Sequence, residues 1–191
     1  MAASKKRARR RGALIVFEDE SGVSLLPAVR ATWAPRGQTP VLRHRFNWKR
    51  LSMAGALAYE PDGTEAQLVF QIRPGAYNDE TLIEFLTAMH QLLDGRKVLL
   101  VWDGLPSHRS RRMKAWLATQ RHWLMVEPLP GYAHDLNPME QVWGNVKNNE
   151  LANLCADTLD QAEHAADAGL CRIGSETALC LAFLHHTGLK L

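Results

Sequence analysis

Hydrophobic and polar positions alternate with a period of two in the first part of the chain. Over residues 13–19 this alternation predicts a strand with Ile15, Phe17 and Asp19 on one face. Turn residues at 34–37 and 61–63 bracket a second and a third strand, the third around residues 51–59, and a fourth is predicted near residues 66–72. The chain is therefore predicted to open with a meander of neighbouring strands.

The hydrophobic period then changes to that of a helix. Apolar residues recur at helical spacing after a cap at Asn78 or Asp79, and Asp94-Gly95 ends the segment. The apolar run at residues 98–102 is typical of a buried parallel strand. Helices are predicted over 109–119, from 138 to about 154 and from 158 onward, with a strand over 123–126.

A meander of strands followed by alternating helices and strands is the order of a ribonuclease H-like fold. This is an α/β fold with a mixed sheet and helices on both faces. Other α+β domains share such an order, so the pattern alone does not decide between them.

Length and composition favour one domain with appendages, because 191 residues of which 46% are hydrophobic can bury one substantial core. We predict a basic flexible arm at residues 1–11, a catalytic core at 12–154 and a carboxyl-terminal helical extension at 155–191. No apolar run approaches the length needed to span a bilayer, so we expect no membrane role. The three cysteines form no metal or redox motif and are expected to be reduced thiols in a cytoplasmic protein.

The arm holds much of the positive charge of the chain. Without its six basic residues, 17 basic residues face 20 acidic ones, so the net charge changes from +3 to −3. Such an arm either lies along the phosphates of a nucleic acid or is a solvated tail that aids solubility. The charge pattern alone does not separate these interpretations.

Three acidic residues lie at positions where packing does not explain an acidic side chain. Asp19 closes an apolar strand, Asp103 follows the buried strand directly, and Glu140 lies in the first turn of a helix. Magnesium prefers oxygen ligands, and converging carboxylates can hold two ions for in-line displacement at phosphorus. The trio therefore indicates a metal-dependent phosphoryl-transfer site.

Each acid also has a structural interpretation. Asp19 can belong to a solvated charge cluster, and Asp103 can start an Asp-Gly turn. Glu140 is the third helical residue after Asn137 and Pro138, which completes a pattern like a capping box. The residue types alone leave both interpretations open.

The sequence motifs around the three acids favour the functional interpretation. The strings at residues 17–21 (Phe-Glu-Asp-Glu-Ser), 102–108 (Trp-Asp-Gly-Leu-Pro-Ser-His) and 135–143 (Asp-Leu-Asn-Pro-Met-Glu-Gln-Val-Trp) resemble transposases of mariner-related bacterial insertion sequences, members of the DDE superfamily. The 36 residues between the second and third acids fit that group, and the turn at 33–37 resembles one that follows its first acid.

The resemblance implies roles for individual residues. Asp19, Asp103 and Glu140 are then the catalytic metal ligands for two Mg²⁺ or Mn²⁺ ions, with His108 and Asn137 as supporting residues around them. His108 has a nearly equal alternative as a packed or surface histidine. Gly104 departs from the asparagine that relatives often have after the second acid. The helix-turn-helix region that relatives carry before the first acid has no counterpart in the sequence.

Basic residues near the acids and in the arm fit a polyanionic substrate. The stretch 43–50 interleaves basic and aromatic residues, as a phosphate-contacting hairpin does, although strand aromatics more often serve packing. Lys147 faces DNA phosphate in the functional interpretation. In the alternative, Lys147 is solvated and Trp143, on the same helix, belongs to the core. The predicted DNA-binding residues are Lys5, Lys6, Arg7, Arg9, Arg10, Arg11, Arg43, Arg45, Lys49, Arg50, Arg109 and Lys147.

The resemblance implies a transposase catalytic domain that cuts DNA at transposon ends and joins it to target DNA. Its expected partners are both DNAs, a second copy of the chain and an upstream-frame helix-turn-helix protein, in the cytoplasm of a bacterium and associated with the nucleoid. One alternative is a ribonuclease H-like nuclease without strand transfer. Another is an inactive remnant or decoy that only binds DNA.

Overall fold

A five-stranded sheet forms the centre of the computed structural model, which describes residues 2–44, 47–131, 133–189 and 191. The strand order is β3-β2-β1-β4-β5. The strands are β1 (Leu14–Ser24), β2 (Arg50–Tyr59), β3 (Ala66–Pro74), β4 (Val98–Trp102) and β5 (Leu124–Pro128). The α-helices are α1 (Ala2–Arg11), α2 (Asp79–Leu92), α3 (Arg111–Thr119), α4 (Pro138–Asn148), α5 (Leu159–Gly174) and α6 (Thr177–His186).

The sheet is mixed because the strands up to β3 pair antiparallel and the later strands pair parallel. Strands β1, β2 and β3 pair antiparallel through neighbouring segments, whereas β4 pairs parallel with β1, and β5 parallel with β4. Strand β1, which has 11 residues, lies in the middle of the sheet, between β2 and β4. The predicted mixed sheet with helices on both faces is confirmed.

Alternation along β1 divides the core into two layers. Ile15 and Phe17 pack with α4, α5 and α6, while Leu14 and Val16 pack with α2 and α3 on the other face. The predicted faces of the first strand are therefore correct. Helices α5 and α6 share one apolar cluster with α4, so residues 159–186 form part of the layer that covers the sheet.

Residues 2–11, which we expected to form a flexible arm, form helix α1 instead. Ala8 is fully buried, the Arg7 guanidinium lies 3.5 Å from a Glu127 carboxylate oxygen, and Arg9 Nε donates a hydrogen bond to the Pro61 carbonyl. Alanine, lysine and arginine are strong helix formers, and Gly12 ends the helix at a φ of +58°. The basic residues are thus carried on a helix that docks against the domain.

The predicted second strand is wrong. The described residues between β1 and β2 form no strand, only an isolated bridge between Ala28 and Ala152. Most of this segment is exposed, including Trp33, which is fully exposed, and Trp48. A strand with no buried face gains too little to order its backbone, so the segment crosses the surface as a loop. The predicted hairpin at 43–50 is likewise absent from its described part, and Arg45 lies outside the described residues.

The remaining elements match their predictions within a few residues. Asn78 caps α2 and accepts a hydrogen bond from the Thr81 backbone. Helix α4 ends at Asn148, earlier than the predicted end near residue 154. No helix among the described residues is both long and apolar enough to cross a membrane.

Candidate active site

The register of the sheet brings Asp19 and Asp103 together. The last pair of the β1–β4 ladder is Phe17 with Val101, so each aspartate stands two residues beyond it on a neighbouring strand. Parallel strands end at the same edge of a sheet, which is where α/β folds build sites. The two acids therefore line the same cavity of about 460 Å³.

Helix α4 adds Glu140 to that cavity. Asn137, which is almost fully buried, caps the helix by accepting a hydrogen bond from the Met139 backbone at 3.1 Å, and Pro138 occupies the first turn. Among the described residues, the Glu140 side chain makes no hydrogen bond back to Asn137. The capping-box interpretation of Glu140 is therefore not what the structure shows, and the exposed carboxylate is available to the cavity.

Helix α4 approaches the sheet closely because Gly55 of β2 has no side chain. Gly55 pairs with Asp19, and a Cβ at this position would stand 2.5 Å from Met139 Cε and 2.7 Å from Trp143 Cη2. Trp143 in turn donates a hydrogen bond from Nε1 to Asp19 Oδ2 at 3.1 Å. The glycine thus positions the helix that carries Glu140 over the strand that carries Asp19.

Replacing Gly55 with alanine tests this arrangement. We expect a loss of about 1–3 kcal/mol in the free energy of unfolding, because the added methyl group overpacks the contact with α4. Gly144→Ala is the matched control, since the same methyl group meets open space there and favours the helix. Urea denaturation measures both variants. A Gly55→Ala protein as stable as the wild type would contradict the close seating of α4.

Burial and neighbouring acids raise the pKa of Asp19. Burial, and after it the negative charges of Glu140 and Glu20, raise the pKa of Asp19 from 3.8 to about 7, although the Trp143 hydrogen bond opposes the shift. A carboxyl group whose charge is disfavoured by burial and by neighbouring acids is suited to a divalent cation, which offsets both effects. The donor set therefore fits magnesium or manganese.

This shift predicts how pH affects the metal-free protein. Between about pH 4 and pH 7 the folded chain holds a proton on Asp19 that the unfolded chain has lost, so stability falls as pH rises through this range. Asp19→Asn removes the effect, and we expect the variant to be more stable than the wild type by about 1–3 kcal/mol at pH 8 in chelator. The difference should shrink towards pH 4. Urea denaturation across this pH range measures the difference in stability. A difference that does not change with pH would contradict the raised pKa of Asp19.

Asp103 forms the predicted turn and also lines the cavity, and its role as a metal ligand stays a prediction. Its Oδ1 accepts a hydrogen bond from the Leu105 backbone at 2.9 Å, as in a turn started by aspartate, while the residue also lines the cavity. The residue that follows, Gly104, has open space around the position of a Cβ.

His108 is a buried residue directly behind Asp103. Its Nδ1 lies 3.1 Å from the Asp103 carbonyl oxygen and 3.0 Å from Asp103 Oδ1, and its Nε2 lies 3.3 Å from Glu20 Oε1. Burial alone lowers the pKa of His108, but the hydrogen bond with Glu20 and the charges of Glu20 and Asp103 outweigh it, and the net direction is upward. His108 is therefore a packed residue that also contacts Asp103, and its supporting role at the site stays a prediction.

The predicted DNA-binding residues are spread over several surfaces. Arg109 lines the cavity with the three acids. Lys147 instead donates a hydrogen bond to Ser21 Oγ at 2.6 Å in a partly buried position, and Arg7 pairs with Glu127. The others are exposed along α1, on the loop before β2 and at the start of β2: Lys6, Arg9, Arg10, Arg11, Arg43, Lys49 and Arg50. Lys5, also on α1, is partly buried.

Sequence reasoning missed two features of the site. Gly55 lies in an apolar strand and carries no signal of its role until α4 is placed on it. Glu20 shares the motif of Asp19, but its contact with His108 spans 88 residues and is visible only in the fold. The alternation of β1 was the available signal, since it puts Glu18 and Glu20 on the face opposite Asp19.

Comparison with known proteins decides the family. The family model of the DDE superfamily endonuclease matches residues 14–162, which hold all three acids. The chain belongs to this family. A comparison with curated proteins finds no match.

The DDE endonuclease fold is shared with solved structures of the Mos1 transposase. The chain matches the Mos1 transposase paired-end complex with left transposon end at 19% identity and a TM-score of 0.68, over 97% of this chain and 56% of that one. The match to the Mos1 strand transfer complex has 17% identity and a TM-score of 0.68, over 97% and 55%. The catalytic domain of Mos1 matches at 15% identity and a TM-score of 0.59, over 98% and 82%.

These matches establish the fold. The predicted ribonuclease H-like architecture is confirmed, because the same mixed sheet occurs in these transposase catalytic domains. The chain spans a little over half the length of the full transposase chains.

Proposed function

We propose that this DDE endonuclease domain is the catalytic domain of a DNA transposase of the mariner-related bacterial insertion-sequence type. It cleaves a DNA strand at a transposon end, and the freed 3′-hydroxyl then attacks target DNA. The observation that carries this proposal is the convergence of Asp19, Asp103 and Glu140 on one cavity, from two neighbouring strands and one helix.

The three carboxylates hold the metal ions of this reaction. Two Mg²⁺ or Mn²⁺ ions bound there would supply activation of the attacking oxygen and stabilisation of the leaving oxygen. Trp143 orients Asp19 through its hydrogen bond, and the Leu105 backbone orients Asp103. Helix α4, seated on Gly55, fixes Glu140 opposite them.

The surroundings of the cavity suit a polyanion. Arg109 stands at the cavity, and the exposed cations of α1 and of the loop before β2 extend the positive surface. Arg45 is also one of the proposed DNA-binding residues. Contacts of this kind hold the phosphate backbone without reading its sequence.

The partners follow from the same proposal. They are transposon-end DNA and target DNA, a second copy of the chain across the paired ends, and a helix-turn-helix protein encoded in an upstream frame. The setting is the nucleoid of a bacterial cell. The Mos1 structures support the DNA partner, since they include a paired-end complex with a transposon end and a strand transfer complex.

A strand-joining assay separates this function from its alternatives. Labelled duplexes with randomised terminal base pairs and free 3′-hydroxyls are incubated with the protein, a supercoiled plasmid and Mn²⁺. A transposase joins label covalently to the plasmid, and sequencing of the junctions reveals the ends it prefers. A nuclease nicks the plasmid without joining label, and an inactive remnant does neither, so either result would overturn the proposal.

A further inference from the structure

A second group of metal-ligating side chains lies on the face of β1 opposite Asp19. Alternation along the strand turns Glu18 and Glu20 to this face, where both meet His108 from the turn after β4. His108 Nε2 lies 3.3 Å from Glu20 Oε1 and 3.9 Å from Glu18 Oε2. One ligand atom from each of the three side chains fits within 4.8 Å of the other two.

The carboxylate of Glu18 is buried without a hydrogen-bond partner. Its side chain is 0% exposed, and neither of its oxygens makes a hydrogen bond; Glu20 Oε2 is also buried and unpaired. Taking a carboxylate out of water costs several kcal/mol unless a cation, a proton or hydrogen bonds compensate it. The oxygens of Glu18 point into the group formed with Glu20 and His108, so compensation must come from there.

The ring of His108 is held in the orientation of a metal ligand. A carbonyl oxygen only accepts hydrogen bonds, so the contact between Nδ1 and the Asp103 carbonyl places a proton on Nδ1. Trp102 stacks on the ring at 4.1 Å with an interplanar angle of 2° and fixes its plane. In the neutral ring, the Nε2 lone pair then faces the two glutamates. Histidine ligands of metals commonly donate their other N–H to a carbonyl or carboxylate in this way.

We propose that Glu18, Glu20 and His108 form a second divalent-cation site, separate from the cavity of Asp19, Asp103 and Glu140. An ion about 2.0–2.2 Å from each ligand keeps neighbouring ligand atoms about 3–4 Å apart, which the distances around Nε2 satisfy. Its two charges balance the two buried carboxylates. The imidazole ligand favours zinc over magnesium or calcium, and the two carboxylates also suit manganese.

The ion would connect β1 to the turn after β4. These segments carry Asp19 and Asp103, so the second site would fix the spacing of two acids of the first. Binding there needs no DNA and no reaction, which makes it testable apart from the proposed function.

The test counts Mn²⁺ bound to the DNA-free protein, using the electron paramagnetic resonance signal of free Mn²⁺. Manganese is the probe because it avoids the three thiols of the chain. In the Asp19→Asn/Glu140→Gln background, which weakens the first site, we expect one ion per chain and an increase in Tm on binding. Adding Glu20→Gln should weaken this binding at least about tenfold and remove the increase in Tm.

Two further comparisons control for Mn²⁺ binding at the surface and for misfolding of the double variant. His164→Asn, at an exposed histidine of α5, should leave the bound ion unchanged. If the double variant does not fold, the wild-type chain should still bind one more ion than its Glu20→Gln variant, whose side chain is only 13% exposed. No bound Mn²⁺ in the background, or equal binding with Glu20→Gln, would show that a shared proton compensates the glutamates and would overturn the proposal.

Discussion

Glu140→Gln should reduce DNA cleavage by at least about a hundredfold while the protein folds normally. The amide keeps the size and the first-turn position of the side chain but binds magnesium poorly, and metal stabilisation of a phosphoryl transition state is worth several kcal/mol. The helix cap is unaffected, because Asn137 and not Glu140 supplies it. Nicking of plasmid DNA in Mg²⁺ and a thermal melt in chelator measure the two properties side by side.

Glu80→Gln provides the matched control for that variant. Glu80 is also an acid in the first turn of a helix, but it pairs with Arg112 on the surface of α2 and does not line the cavity. Its replacement should cost at most a few tenths of a kcal/mol and leave cleavage intact, as expected of an exposed ion pair. A Glu140→Gln protein that folds and still cuts DNA would remove Glu140 from the site.

Asp19→Asn and Asp103→Asn should each abolish cleavage and leave DNA binding largely unchanged. Asparagine keeps an oxygen that can accept the hydrogen bond from Trp143 at the first position and from the Leu105 backbone at the second, so local structure should persist. What is lost is the charge that holds the cation. Binding is measured in Ca²⁺, whose looser coordination supports in-line displacement poorly, and cleavage in Mg²⁺.

The control for the aspartate variants is Asp94→Asn. Asp94 lies at the other end of β4, exposed and in a left-handed conformation (φ 54°) that asparagine also tolerates. The exchange repeats the change in charge without touching the cavity, so cleavage should continue at the wild-type rate. Equal loss of activity in Asp94→Asn would point to net charge and not to metal ligation.

Local periodicity accounts for the parts of the fold that sequence reasoning predicted. The period of two in β1, the helical period and cap of α2 and the apolar run of β4 are each encoded within a short segment. Placing Asp19 next to Asp103 then needed only the rule that parallel strands share an edge, although β1 continues to Ser24 and Asp19 does not close it as predicted. Glu140 needed the resemblance of its motif as well, because its position in the first helical turn equally fits a cap.

The errors came from segments whose structure depends on distant partners. Helix α1 is basic, but its buried alanine, Ala8, packs in the core cluster against the sheet. The segment before β2 has strand-like aromatics, but in its described part Trp33 and Trp48 are exposed. The group of Glu18, Glu20 and His108 joins two segments far apart in sequence, and the charges alone do not reveal that one carboxylate is sealed from water.

The most direct test of the central claim is the metal dependence of DNA nicking by the wild-type chain. Supercoiled plasmid is incubated with the purified protein in Mg²⁺, Mn²⁺, Ca²⁺ or chelator, and the nicked form is quantified. A site built on Asp19, Asp103 and Glu140 predicts nicking in Mg²⁺ and Mn²⁺ only. Nicking that continues at full rate in chelator would contradict the metal mechanism and, with it, the role assigned to the three acids.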